Sequence, residues 1–144
     1  MRTPLTIKTF VDRAEFNYPD RIAIIDEPDQ PAEAWPALTF GEIAERARQL
    51  AAGLDKLGVG FGERVAIVSH NAARLQHMLL ALPAHGRIAV PINFRLNKEE
   101  IRYIVDHCGA RVLLIDPEIE EDMASVECEF KYTISNDTDN ELFV

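Results

Sequence analysis

Three short apolar runs, Arg64–Ser69, Arg87–Ile92 and Arg111–Ile115, alternate with two longer segments whose apolar residues recur at helical spacing. This order constrains the fold more than any other feature. Runs that are apolar at successive positions, rather than at every second one, suit strands covered on both faces. Amphipathic crossovers between such strands give a parallel sheet with right-handed connections. The expected class is α/β: an open, mostly parallel, Rossmann-like sheet with helices on both faces. The first crossover is expected to be capped by Asn71 and to carry Leu75, Met78, Leu79 and Leu82, with Pro83 placed to kink or end it. The second opens on the capping-box pattern Asn97-Lys98-Glu99-Glu100 and closes at Gly109.

Upstream, Thr3-Pro4 reads as a helix start, with Ile7, Phe10, Val11 and Ala14 on one face and Tyr18-Pro19-Asp20 as the stop. Ile22–Ile25 reads as a short buried strand, and Glu27–Pro36, with three prolines, as a surface loop in which Trp35 covers a core edge. Thr39-Phe40-Gly41-Glu42 is a second capping box. Behind it Ile43, Ala47, Leu50, Leu54 and Leu57 form one apolar stripe, and Gly58 stands where a left-handed C-cap is needed.

The 144 residues carry a net charge of −9. Residues 1–115 hold 14 acidic and 14 basic side chains, whereas 116–144 hold 10 acidic ones and only Lys131. The overall acidic balance argues against nucleic acid, anionic membrane surface or any other polyanion as a main partner. The acidic end is read as a loosely held exit segment, the autonomous fold ending near Asp116, with a short helical turn and a weaker strand at Phe130–Ile134. Asn136–Asn140 has turn character. The start lacks the apolar core of a signal peptide. The longest uncharged apolar run, Met78–Ala84, is too short to span a bilayer. Cys108 and Cys128 are spaced as no metal or redox pair and are read as free thiols, so the chain is expected to be cytoplasmic, with no transmembrane segment.

Most chemical motifs are missing. Gly58-Val59-Gly60-Phe61-Gly62 closes a helix and precedes a strand, the reverse of a phosphate-cradling loop, which follows a strand and opens a helix. No lysine follows a glycine, no serine stands in G-x-S-x-G, and His70, His77, His85 and His107 show no metal spacing. The histidines are read as surface or rim residues. No catalytic, cofactor-binding or metal-binding residue is assigned. Position remains: open α/β sheets bind ligands beyond the carboxyl ends of their strands. Those ends offer His70, Asn71, Asn93 and Arg95 as a substrate-channel rim, with Ser69 and Asp116 beside them. Caps and turns would equally explain the asparagines, and solvation Arg95.

The string LTFGEIAERARQLAAGLDKLGVGFGERVAIVSHN from Leu38, followed by GRIAVPINFRLNKEEIRYIVDHCGARVLLID up to Asp116, resembles the N-terminal region of adenylate-forming acyl-CoA ligases, the AMP-binding synthetase family. With PDRIAIID ahead of it, the resemblance covers about residues 6–116. It implies a parent enzyme that uses ATP and Mg to form an acyl-adenylate, releases pyrophosphate and passes the acyl group to coenzyme A. The acid would be fatty or aryl, and the N-F-R-L variant is similar to the medium- and long-chain fatty-acid side of the family.

The family's phosphate loop ending in P-K-G, its adenine segment, its Y-G-x-T-E motif, its ribose-binding aspartate and its C-terminal catalytic lysine have no counterpart here. The resemblance therefore implies an N-terminal subdomain, a fragment of a larger multi-subdomain fold truncated before the phosphate loop and inactive alone. Its divisions would be an N-terminal helix, strand and loop (1–36), an α/β body (37–116) and an acidic exit segment (117–144). Its partner would be the missing remainder of the ligase, or a second copy docked through an exposed apolar face. The alternative is a free-standing Rossmann-like binding module without catalysis.

Overall fold

A computed structural model describes residues 4–135 and 141–143. The element order is α1 (Ile7–Asn17), β1 (Ile22–Ile24), β2 (Leu38–Thr39), α2 (Phe40–Lys56), β3 (Arg64–Val68), α3 (Ala73–Ala84), β4 (Ile88–Ile92), α4 (Lys98–Cys108), β5 (Val112–Ile115) and β6 (Phe130–Thr133), with a 3-10 turn at Pro117–Ile119. The main sheet is wholly parallel, in the order β4-β3-β5-β6.

Its strands are apolar at successive positions because each face has its own cover. Val65, Ile67, Val112 and Leu114 pack against Leu50 and Leu54 of α2 and Met78 and Leu82 of α3. Their neighbours Ala66, Val68, Leu113 and Ile115 point the other way, onto Ile101 and Val105 of α4 and onto Met123 and Val126. The α/β expectation with helices on both faces is met, and α1 lies outside, packed on α2 and α3.

Both capping boxes form. Glu42 N donates to Thr39 Oγ1 at 3.3 Å and Thr39 N to Glu42 Oε2 at 2.8 Å; Asn97 and Glu100 exchange the same bonds at 3.0 Å. Gly58 and Gly109 end α2 and α4 at φ of 70° and 62°. Pro83 stays inside α3. It stands in the last turn, and the helix ends one residue later at Ala84, close to the expected stop.

Four expectations are corrected. Thr3 lies outside the described residues, and α1 begins at Ile7 because Thr6 Oγ1 takes the Thr9 amide at 3.2 Å. Ile22–Ile25 is not buried: β1 pairs only with β2, antiparallel, and Ile22 and Ile25 are exposed. Asn71 does not cap α3. Asp26, from the proline-rich loop, does so from a distance, taking the Ala73 amide on Oδ1 and the Trp35 amide on Oδ2, each at 2.9 Å. Finally, the sheet continues past Asp116. β6 runs in register with β5 from Val112–Phe130 to Ile115–Thr133, and Met123, Val126, Ile134 and Leu142 are buried. Among the described residues beyond Asp116 the carboxylates stay outside while Met123, Val126, Ile134 and Leu142 turn inward, and Lys131 Nζ donates to the carbonyls of Met123, Ala124 and Val126. The turn expected at 136–140 lies outside the described residues.

Leu142 packs across Gly53 in the last turn of α2, and a Cβ built there would lie 2.1 Å from the Leu142 carbonyl oxygen. At the amino ends of the strands, three arginines bind the carbonyls of the incoming turns. Arg64 donates to Cys108 O and Gly109 O at 2.7 and 2.9 Å, and the buried Arg87 to Val59 O and His85 O. Arg111 donates to Gly58 O and pairs with Glu63 and Glu129. Cations placed there also meet the negative ends of the helix dipoles.

Candidate functional site

The connection from β3 to β4 leaves in one direction along the sheet, and the connection from β4 to β5 returns past β3. The winding therefore reverses between β3 and β5, where open α/β sheets form their ligand crevice. Ser69 and His70 stand at the carboxyl end of β3 and Asp116 at that of β5, so the topology brings residues nearly fifty positions apart into one cluster.

Asp116 is its centre and is 2% exposed. Its Oδ2 accepts the His70 amide at 3.2 Å, faces Ser69 Oγ at 3.2 Å and lies 3.1 Å from His70 Nδ1; its Oδ1 accepts the Glu118 amide at 3.2 Å. An ionised carboxylate only accepts, so His70 Nδ1 carries the proton of that bond. On the far side of the ring, Nε2 lies 3.1 Å from Glu118 Oε2. The imidazole also rests on Phe94, with ring centroids 3.7 Å apart, and the Arg95 guanidinium lies 5.1 Å from the same phenyl ring.

Of the four rim residues expected from the sequence, His70 and Arg95 are thus joined through Phe94. Asn93 sits beside them, but its Oδ1 accepts the Arg95 amide at 3.0 Å and shapes the turn. Asn71 is exposed and lines a separate open groove with Asp26 and Pro28. Glu118 and Phe94 were not singled out by sequence reasoning. The strand-end position of Phe94, between Asn93 and Arg95, was the available signal.

The cluster orients an imidazole and closes a crevice. It does not make a nucleophile: Ser69 Oγ faces the His70 carbonyl at 3.0 Å and Asp116, not the His70 ring, so the relay of a Ser-His-Asp site is not built. Among the described residues no three His, Cys, Asp or Glu side chains are grouped to hold a metal ion. The glycine-rich segment 58–62 lies at the opposite, amino end of the sheet as a helix-closing turn, as its order in the sequence implies.

A second cluster was not anticipated. His77 was expected at the surface or rim but is fully buried, its ring between Trp35 at 5.5 Å and Phe143 at 5.7 Å. Neither ring nitrogen has a hydrogen-bond partner, and Trp35 Nε1 has none either. The Arg46 and Arg74 guanidinium carbons lie 4.4 and 4.9 Å from the centre of the Trp35 ring. Burial, with Arg46 adding repulsion, holds the His77 imidazole neutral and its pKa down at about 4.

A group whose folded pKa is depressed by burial binds more protons once unfolded. Its contribution is intact above the ordinary value of 6.5 and is lost as pH falls toward 4. The loss over that window is on the order of 3 kcal/mol. Urea melts should show His77→Leu at least as stable as the parent at pH 7, since it removes two unpaired nitrogens, and markedly less sensitive to pH between 6.5 and 4. Identical pH slopes for the two proteins would refute this account.

Known proteins share this framework. The family of AMP-binding enzymes matches residues 11–142. A long-chain-fatty-acid–CoA ligase from Thermus thermophilus is 39% identical over 93 residues, which is 65% of this chain and 17% of that protein. A peroxisomal benzoate–CoA ligase from Arabidopsis thaliana is 32% identical over 117 residues, 81% of this chain and 19% of that one. The chain therefore spans less than a fifth of the length of these relatives. The crystal structure of a long-chain-fatty-acid-CoA ligase from Archaeoglobus fulgidus superposes with a TM-score of 0.84 at 24% identity, covering 99% of this chain and 30% of its own, a likeness of fold. The profile spans almost the whole chain, from the middle of α1 to the buried Leu142, and by that measure the chain belongs to the AMP-binding enzyme family.

Proposed function

We propose that this chain is the N-terminal subdomain of a ligase that activates a fatty acid with ATP and Mg as an acyl-adenylate and transfers the acyl group to coenzyme A. The family match supports the reaction class, and the 39% identity to the Thermus thermophilus relative is the ground for reading the acid as fatty, with an aryl acid, as in the Arabidopsis thaliana relative, the other outcome of the test. The part of that work done by these residues is architectural.

One observation carries the architectural role: the polar groups at the carboxyl-end crevice bond to one another. Asp116 is held by Ser69, His70 and Glu118, and His70 by Asp116, Glu118 and Phe94. No glycine-rich loop opens a helix toward a phosphate, and no grouped carboxylates stand ready for Mg among the described residues. The residues present do not fit a nucleotide, so no step of adenylation is assigned to them. They form a wall against which the rest of the ligase builds its site.

ATP–pyrophosphate exchange with a panel of fatty and aryl acids tests both halves. The 144-residue chain alone should give no exchange. Fused to the remainder of the Thermus thermophilus relative in place of its own N-terminal region, it should restore exchange, with fatty acids preferred. Robust exchange by the chain alone would overturn the architectural role, and a folded fusion without exchange would overturn the ligase assignment.

A further inference from the structure

Beneath α1 lies an apolar cleft of about 160 Å³, open to solvent, which shares Ala23, Ile24 and Gln76 with the groove that Asn71 lines. Val11 and Ala14 of α1, Ile24 of β1, Ile43 of α2 and Leu80 of α3 are among its walls, and Gln76 is the one polar side chain on it. Gln76 is exposed and stands where α3 meets solvent.

The cleft persists because polar fastenings, not packing, set the height of α1. The helix has no fully buried residue, and Phe10 is 66% exposed. Glu15 holds Arg48 of α2 through two hydrogen bonds of 3.0 and 3.1 Å. Just past the helix, Pro19 O and Arg21 O accept the Gly41 and Phe40 amides, both at 3.0 Å. These bonds hold the C-terminal end of α1 against the start and the middle of α2. Where the walls approach across the gap, the sequence supplies the small residues Ala14 and Ala23, so no side chain fills the space.

We infer that this cleft is a binding site for one small, uncharged, ring-sized apolar molecule, with any hydroxyl it bears turned to Gln76. A space of that size takes one ring, as closed apolar cavities of ~150 Å³ admit benzene; here Phe10 and Gln76 stand exposed at an opening to solvent. No cationic side chain lines the walls, so a carboxylate would enter without a counter-charge. The site is therefore distinct in chemistry from one for a free acid, and it stands or falls independently of the ligase reading, which the exchange assay examines.

Titration of the full chain with fluorobenzene, 4-fluorophenol and 4-fluorobenzoate, followed by 19F NMR, tests the site. The first two should saturate with millimolar or tighter dissociation constants, and the benzoate should bind at least tenfold more weakly. Ala14→Leu, with folding verified by circular dichroism, should weaken fluorobenzene at least tenfold. Ala23→Leu, which fills the space from the opposite wall, should do the same if Ala14→Leu does not fold. NOEs from the ligand should reach the methyls of Ile43 and Leu80. Absence of saturation with either neutral ligand, undiminished binding in a folded filled variant, or benzoate binding as tight as phenol would each overturn the inference.

Discussion

Gly53→Ala is expected to destabilise the chain by about 3 kcal/mol, through the sum of an overpacking strain and the lost burial of one leucine. The new methyl would stand 2.1 Å from Leu142 O, 2.8 Å from its carbonyl carbon and 2.9 Å from its Cα. All three are backbone atoms, so no rotamer change relieves the contact. The segment 141–143 must lift away, taking Leu142 out of the core and Phe143 off His77 and Trp35. The decisive comparison is a chain ending at residue 140. There the three Leu142 backbone atoms that crowd the methyl are gone, and the same substitution should stabilise α2 by about 0.5–1 kcal/mol, the ordinary advantage of alanine over glycine inside a helix. Urea melts of the four proteins give the coupling directly. An equal cost in both lengths would mean that the terminal segment does not pack across Gly53.

Asp116→Ala is the second large effect, again about 3 kcal/mol, because it removes the one buried acceptor shared by two part-buried amides and the His70 ring. The His70 amide, the Glu118 amide and the His70 imidazole all depend on this carboxylate, and Ser69 Oγ faces it. Asp116→Asn should recover only part of the loss, since half of the amide presents hydrogens to groups that are themselves donors. Hydrogen exchange at the His70 and Glu118 amides should accelerate in both variants well before the β3 and β5 ladders open. A cost below 1 kcal/mol, with unchanged exchange at these two amides, would show the cluster to be incidental to the crevice.

The sheet was legible because its signal is local. The central strands β3 and β5 are covered on both faces, and the bare run of apolar residues says so without reference to the rest of the chain; the edge strand β4 carries the same pattern with Ile88 exposed. Both capping boxes lie within four residues and were equally readable. Expectations failed where the deciding partner is remote. Asn71 looks like a cap until Asp26 arrives from another loop, and His77 looks like a rim residue until Trp35 and Phe143 close over it. The acidic end misled for a different reason: net charge averages over a segment, whereas burial alternates within it, and Met123, Val126 and Ile134 are enough to anchor it. At the crevice, the strand-end rule located His70 and Arg95, but only the order of strands in the sheet shows that Asp116, rather than a residue beside His70 in sequence, organises the site.

The three arginines at the amino ends of the strands give the molecule a chemical polarity. Arg64 and Arg87 hold their turns mostly through peptide carbonyls, acceptors that no change of pH can remove. At the opposite end the fastening runs between side chains, with Asp116 and Glu118 on either side of the His70 ring. Substitution can therefore loosen the crevice end while the amino ends remain stapled, and a form opened there would keep its strands in register and expose the rim.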